Sequence, residues 1–153
     1  MLTDDLCAIS TGESLLVAPG NPFLMLWADA LRELGLELDR PGLRPVRPNL
    51  EKYVLPLGDG FATEAVPLHA VYILESSNSG LSIPARIKGL RKIEALTENT
   101  YRPYFVEHMK RAGEHLRQIT EVASRAPVAR VNRPLGSFQM DELADLLEED
   151  FRT

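Results

Sequence analysis

The chain has 153 residues and a mass of 17.1 kDa, with 44% apolar and 25% charged residues. Those values match a soluble globular domain and exclude a disordered chain, a collagen-like repeat and a disulfide scaffold. No apolar run approaches the roughly 18 residues of a membrane span, and Met1-Leu-Thr-Asp-Asp lacks the basic and apolar regions of a signal peptide. A single cysteine, Cys7, forms no internal disulfide, so the expected setting is a reducing compartment, the cytoplasm. Of the 22 acids and 17 bases, six acids and one base fall in residues 141–153, leaving 16 of each before them. A charge-balanced body argues against nucleic-acid binding by charge alone. The acidic end reads as a solvated helix face or a partner-binding tail.

In chain order, residues 3–9 read as a strand starting almost at the first residue, and residues 14–18 as a second short strand closed by Pro19-Gly20. Leu24, Trp27, Leu31 and Leu34 fall at helical spacing, which predicts a helix over 24–34 capped by Gly35, with Trp27 in its apolar stripe. Residues 39–49 have the proline and glycine content of a loop. Strands are expected at 53–57 and 69–75, the second buried on both faces. Residues 85–97 form a basic amphipathic helix with Ile87, Leu90, Ile93 and Leu96 or Ala95 inward. A long helix is expected over 103–124, opened by Pro103. A short strand follows at 128–131, then a last helix capped by Ser137, with Met140, Leu143, Ala144 and Leu147 inward. Interleaved strands and helices make the expected class α/β.

The most suggestive local feature is Asp4-Asp5. Adjacent residues of a strand face opposite sides, and acids are poor strand formers. Two together at a strand boundary are either a solvated strand start or a Mg²⁺ ligand beside a base. Mg²⁺ is held by one or two carboxylates plus substrate phosphates, and a carboxylate can take the proton of an attacking hydroxyl in phosphoryl transfer.

Leu2-Thr-Asp-Asp-Leu-Cys-Ala-Ile9 and Ala18-Pro-Gly-Asn-Pro-Phe-Leu-Met-Leu-Trp-Ala-Asp29 resemble the bacterial HPr serine kinase-like family, relatives of phosphoenolpyruvate carboxykinase. Arg47-Pro-Asn-Leu-Glu-Lys52, Pro67-Leu-His-Ala-Val-Tyr-Ile-Leu74, Leu96-Thr-Glu-Asn-Thr-Tyr-Arg102, Pro127-Val-Ala-Arg130 and Met140-Asp-Glu-Leu-Ala144 follow in the same order. The resemblance implies part of a P-loop, phosphoenolpyruvate carboxykinase-like sheet flanked by helices, the helical part spanning about 85–150. It implies an ATP- and Mg²⁺-dependent protein serine kinase in which Asp4 is the general base and Asp5 the metal ligand. It further implies a protein acceptor such as HPr, or the peptide precursor of a natural product.

The sequence departs from that family in one large respect. No G-x-x-x-x-G-K-[ST] phosphate loop occurs in it, and in the family that loop precedes the paired aspartates. Carboxylates repel a triphosphate and cannot replace a backbone cradle. The expectation is therefore the C-terminal portion of a kinase domain, inactive alone, with the first strands and the Walker A loop on a separate N-terminal half. Unpaired sheet edges would then favour self-association. A non-catalytic binding or scaffold module is the rival reading. Met25 also stands where relatives carry arginine before the Leu-Trp pair.

Other candidates have bland alternatives. Arg47 and Lys52 either reach phosphate or an acidic partner, or form a solvated face. Arg102 either offers a bidentate donor to phosphate or ties a carboxylate or helix end. Arg86, Lys88, Arg91 and Lys92 either dock a protein substrate or keep a helix soluble. His108 and His115 lie roughly 10 Å apart along one predicted helix, too far to share a metal, and His69 is isolated. Cys7 is expected as a small buried hydrophobe.

Overall fold

The computed structural model describes residues 1–136 and 139–152. They fall into two compact units, residues 1–67 and the residues from Leu68 onward. Helices interleave with three separate three-stranded sheets, an α/β composition.

The first unit is antiparallel throughout. One sheet joins β1 (Ile9–Thr11), β2 (Leu15–Val17) and β6 (Val66–Pro67) in the order β1-β2-β6. The other joins β3 (Phe23–Trp27), β4 (Arg44–Pro45) and β5 (Lys52–Pro56) in the order β3-β5-β4. Helix α1 (Ala28–Glu33) follows β3 without a break. Its core is small: Leu15, Val17, Ala28, Leu31 and Val54 are buried.

Three sequence expectations fail in this unit. The strand over 3–9 is absent except for Ile9, because only Ile9–Thr11 has a partner, paired in register with Val17–Leu15. The helix over 24–34 begins only at Ala28. Phe23–Trp27 is five apolar residues in a row, which suits either period, and pairing with Pro56–Lys52 makes it a strand. Trp27 consequently leaves the apolar stripe and is 52% exposed. Gly35 does end the helix. At φ 68° it sits one residue past the cap, with Gly35 N–H bonded to Arg32 O and Leu36 N–H to Leu31 O. That is a Schellman arrangement, which needs a left-handed residue at this point.

The second unit is built on β7 (Val71–Ser77), β8 (Ala85–Arg86) and β9 (Val128–Pro134) in the order β7-β9-β8. β7 and β9 are parallel over seven paired residues, Val71↔Val128 to Ser77↔Pro134. Between them the chain makes β8, then α2 (Leu90–Glu98), α3 (Pro103–His108) and α4 (Ala112–Arg125). α5 (Met140–Arg152) closes the unit. Val128, Ala129 and Val131 of β9 are fully buried, and Ala95, Leu96, Val122, Ala123, Ala126 and Leu143 complete the core. β9 is the central strand, and β7 is half-buried rather than buried on both faces: Leu74 is exposed.

The helix expected over 103–124 is two helices. Lys110 takes φ 55°, Arg111 N–H bonds Val106 O and Lys110 N–H bonds Glu107 O, a second Schellman termination in which a lysine occupies the left-handed position. The basic helix starts at Leu90, since Ala85–Arg86 pair with Arg130–Ala129 as β8. Ile87 therefore precedes the helix, and Leu90 is exposed, while Ala95 and Leu96 face the core as expected. In α5 Leu143 is buried, but Met140 and Ala144 are exposed. Ser137, the expected cap, lies outside the described residues.

Candidate functional site

Asp4 and Asp5 lie on a turn. The Thr3 hydroxyl donates to Leu6 O, closing a bend with the two aspartates at its centre. Backbone bonds from Gly20 N–H to Leu2 O (2.9 Å) and from Ala62 N–H to Met1 O (2.7 Å) anchor the segment before it, and the terminal ammonium donates to Gly60 O at 2.7 Å. Gly20 is required by this approach: a Cβ there would lie 2.4 Å from Thr3 Oγ1. On a strand the two carboxylates would point apart. On this turn both line one small cleft of ≈ 100 Å³, together with Gly20, Asn21, Phe23 and Met25.

The two acids have different surroundings. Asp4 is half-buried, and its Oδ2 accepts the Met25 N–H at 2.7 Å. β3 is an edge strand whose even-numbered residues bond toward β5, so the Met25 N–H points to the open side and the Asp4 carboxylate satisfies it. Asp5 has a 57% exposed side chain, 3.5 Å from Lys52 Nζ. Lys52 begins β5 opposite Trp27, and its ammonium lies 5.8 Å from the Trp27 ring centre. Two strands thus bring Asp5, Lys52 and Trp27 together, although about 25 residues separate Trp27 from Lys52.

Arg102 belongs to the second unit and is not part of this cluster. It adopts a left-handed φ of 46° ahead of α3, exposed, with its guanidinium 5.0 Å from the Tyr101 ring centre and 5.9 Å from that of Phe105. Arg47 sits in the exposed loop between β4 and β5. Cys7 is exposed, which corrects the expectation of a buried hydrophobe. Partial shielding still pushes its thiol pKa up, so little thiolate forms and it makes a poor nucleophile.

The carboxylates stand beside an antiparallel sheet. The parallel pairing among the described residues is that of β7 with β9, in the other unit. No group of three or more His, Cys, Asp or Glu residues among those described is placed to hold a metal. His108 bonds Tyr104 O and His115 contacts Thr100 Oγ1, on different helices. Asp5 lines the cleft with a 57% exposed side chain, which fits the single carboxylate that a Mg²⁺ with water and phosphate as its other ligands would need. No helix is long and apolar enough to cross a membrane among the described residues. No protein-family model, no curated protein and no solved structure matches the chain.

Proposed function

We propose that this chain is the carboxylate-bearing, C-terminal part of an HPr kinase-like ATP-dependent serine kinase, and that another segment or polypeptide supplies its phosphate cradle. The observation that carries the reading is the meeting of Asp4 and Asp5 at one cleft beside Gly20-Asn21, with the Lys52 ammonium 3.5 Å from Asp5. In this reading the sheets form part of a P-loop, phosphoenolpyruvate carboxykinase-like domain that is completed by strands preceding Asp4.

Each residue then has a task. Asp4 is oriented by the Met25 N–H through Oδ2, which leaves Oδ1 to accept the proton of an acceptor serine. As that proton leaves, the serine oxygen bonds to the γ-phosphorus, and the bond from that phosphorus to the bridging oxygen breaks, releasing ADP. Asp5 would hold Mg²⁺, which when bound would supply charge neutralisation on the phosphates. Lys52 offsets the Asp5 charge and is the cation that would meet phosphates beside it. The acceptor is HPr or a peptide precursor.

A second reading, a non-catalytic binding module that keeps this fold, is favoured by one observation. Asp4 and Asp5 each already have a structural partner. Calorimetry with Mg-ATP separates the two, using the chain alone and the chain joined to a Walker A half. The kinase reading expects no tight binding by the bare chain, binding and serine phosphorylation by the completed protein, and a loss of roughly 10²–10⁴ in kcat for Asp4→Asn. Full activity in Asp4→Asn, or tight Mg-ATP binding by the bare chain, would overturn it.

A further inference from the structure

The second unit contains a larger depression than the carboxylate cleft, an open groove of ≈ 680 Å³ between β8 and α2. That volume falls within the range of small-molecule sites. One face of α2 forms a wall, because Arg91, Glu94, Ala95 and Glu98 recur at helical spacing. Arg86, Lys88 and Arg130 line it from the strands and the connection between them. Ala85, Ile87 and the buried Ala95 supply apolar lining.

The charges in the groove differ in what already holds them. Arg86 is 3.0 Å from Asp150, and Arg130 Nε is 2.8 Å from Glu75. Lys88 and Arg91 make no ion pair among the described residues, although both face the groove. With Asp150 and Glu75 counted beside their partners the charges of the groove balance, and its positive character is local to Lys88 and Arg91. Glu94 and Glu98 follow Arg91 along α2 at roughly 4.5 Å and 10 Å, so the groove runs from positive at the start of the helix to negative further along it. A long polyanion, whether nucleic acid or an acidic peptide, would meet those glutamates. A compact anion held by Lys88, which precedes the helix, and by Arg91 at its start would stay clear of Glu98 and meet Glu94 at most.

We propose that the β8–α2 groove is a binding site for a small phosphate-bearing molecule, held by Lys88 and Arg91, with Arg86 and Arg130 as already oriented neighbours. Arg and Lys on a phosphate form charge-assisted hydrogen bonds, and the guanidinium can do so in bidentate fashion. The inference does not rest on the kinase reading, because none of its residues lies in the unit that carries Asp4 and Asp5.

The test is a titration of the full chain with inorganic pyrophosphate, followed by calorimetry and repeated with a short poly-glutamate peptide. Saturable pyrophosphate binding is expected. Lys88→Gln and Arg91→Gln should each weaken it roughly tenfold, while Arg117→Gln on α4 and Asp5→Asn leave it unchanged. Ala85→Trp, which keeps every charge and fills the groove, should weaken it as much as the charge variants. Absence of saturable binding, insensitivity to both glutamine variants, or full binding by Ala85→Trp overturns the proposal. So does tighter binding of the peptide than of pyrophosphate. The glutamine variants alter exposed side chains, so an unchanged circular dichroism spectrum and melt will show that the fold is intact.

Discussion

The two units of this chain divide structural labour unequally. The first has short antiparallel strands, five buried apolar residues, and a polar cluster held on a turn by backbone bonds. The second has a seven-residue parallel pairing, four helices and a core in which Val128, Ala129 and Val131 are fully buried. The carboxylate cluster lies where few apolar contacts define the structure, so its geometry depends on individual hydrogen bonds and on Gly20. The β8–α2 groove lies on the framework with the denser core. A site on loops is adaptable, and a site on helices and strands is positioned by packing.

The sharpest way to break that comparison is to remove the most buried side chain of the first unit. Leu31 is fully buried, and Leu31→Ala should cost about 3 kcal/mol. Trp27, the single tryptophan, lies in this unit. The denaturation midpoint read by its fluorescence should fall steeply, and an unmoved midpoint would show that Leu31 is not a keystone of the small core. In the second unit, Lys92 Nζ donates to Ala123 O at 2.7 Å and to Ala126 O at 2.8 Å, tying α2 to the end of α4. Lys92→Met keeps the alkyl stem and strands two carbonyls, at a cost of about 2 kcal/mol, read by helical circular dichroism.

A smaller effect tests how α5 is held. The Tyr72 hydroxyl donates to Asp150, which also pairs with Arg86. Desolvation first, and the Asp150 hydrogen bond second, raise the Tyr72 pKa above its ordinary value near 10. A group whose pKa is raised by folding keeps its proton longer in the folded chain. Its stabilising contribution is thus complete below the unfolded pKa and is lost as pH rises through the folded one. Wild-type stability should fall above about pH 10 more steeply than that of Tyr72→Phe. Parallel curves would show that the phenol is not linked to folding. The smallest effect belongs to Arg152 and Glu148, a pair with 77% and 68% exposed side chains. Arg152→Ala should change the melt by less than about 0.5 kcal/mol.

How far the sequence could be read differs between the same two regions. Helices α2, α4 and α5 were legible because an apolar stripe recurs along them, and Gly35 marked a helix end because its left-handed conformation is costly for other residues. The strand over 23–27 was not legible, since five consecutive apolar residues carry neither period and their partner lies beyond a proline-rich loop. The break at Lys110 was hidden for a different reason: lysine is an uncommon choice for a left-handed position and gives no signal of it. Asp4, Asp5 and Lys52 were singled out by residue type, but their convergence depends on a turn closed by Thr3 and on β3 pairing with β5.

The amino-acid sequence on its own determined the α/β composition, the amphipathic helices and the residues able to do carboxylate or phosphate chemistry, because those follow from local periodicity and side-chain type. Tertiary structure alone decided that the two aspartates share one cleft, that Lys52 reaches Asp5, and that Lys88 and Arg91 face a groove without an ion-pair partner among the described residues. The reason is physical: side-chain direction on a turn, and the pairing of distant strands, are set by hydrogen bonds between segments that are far apart in the chain.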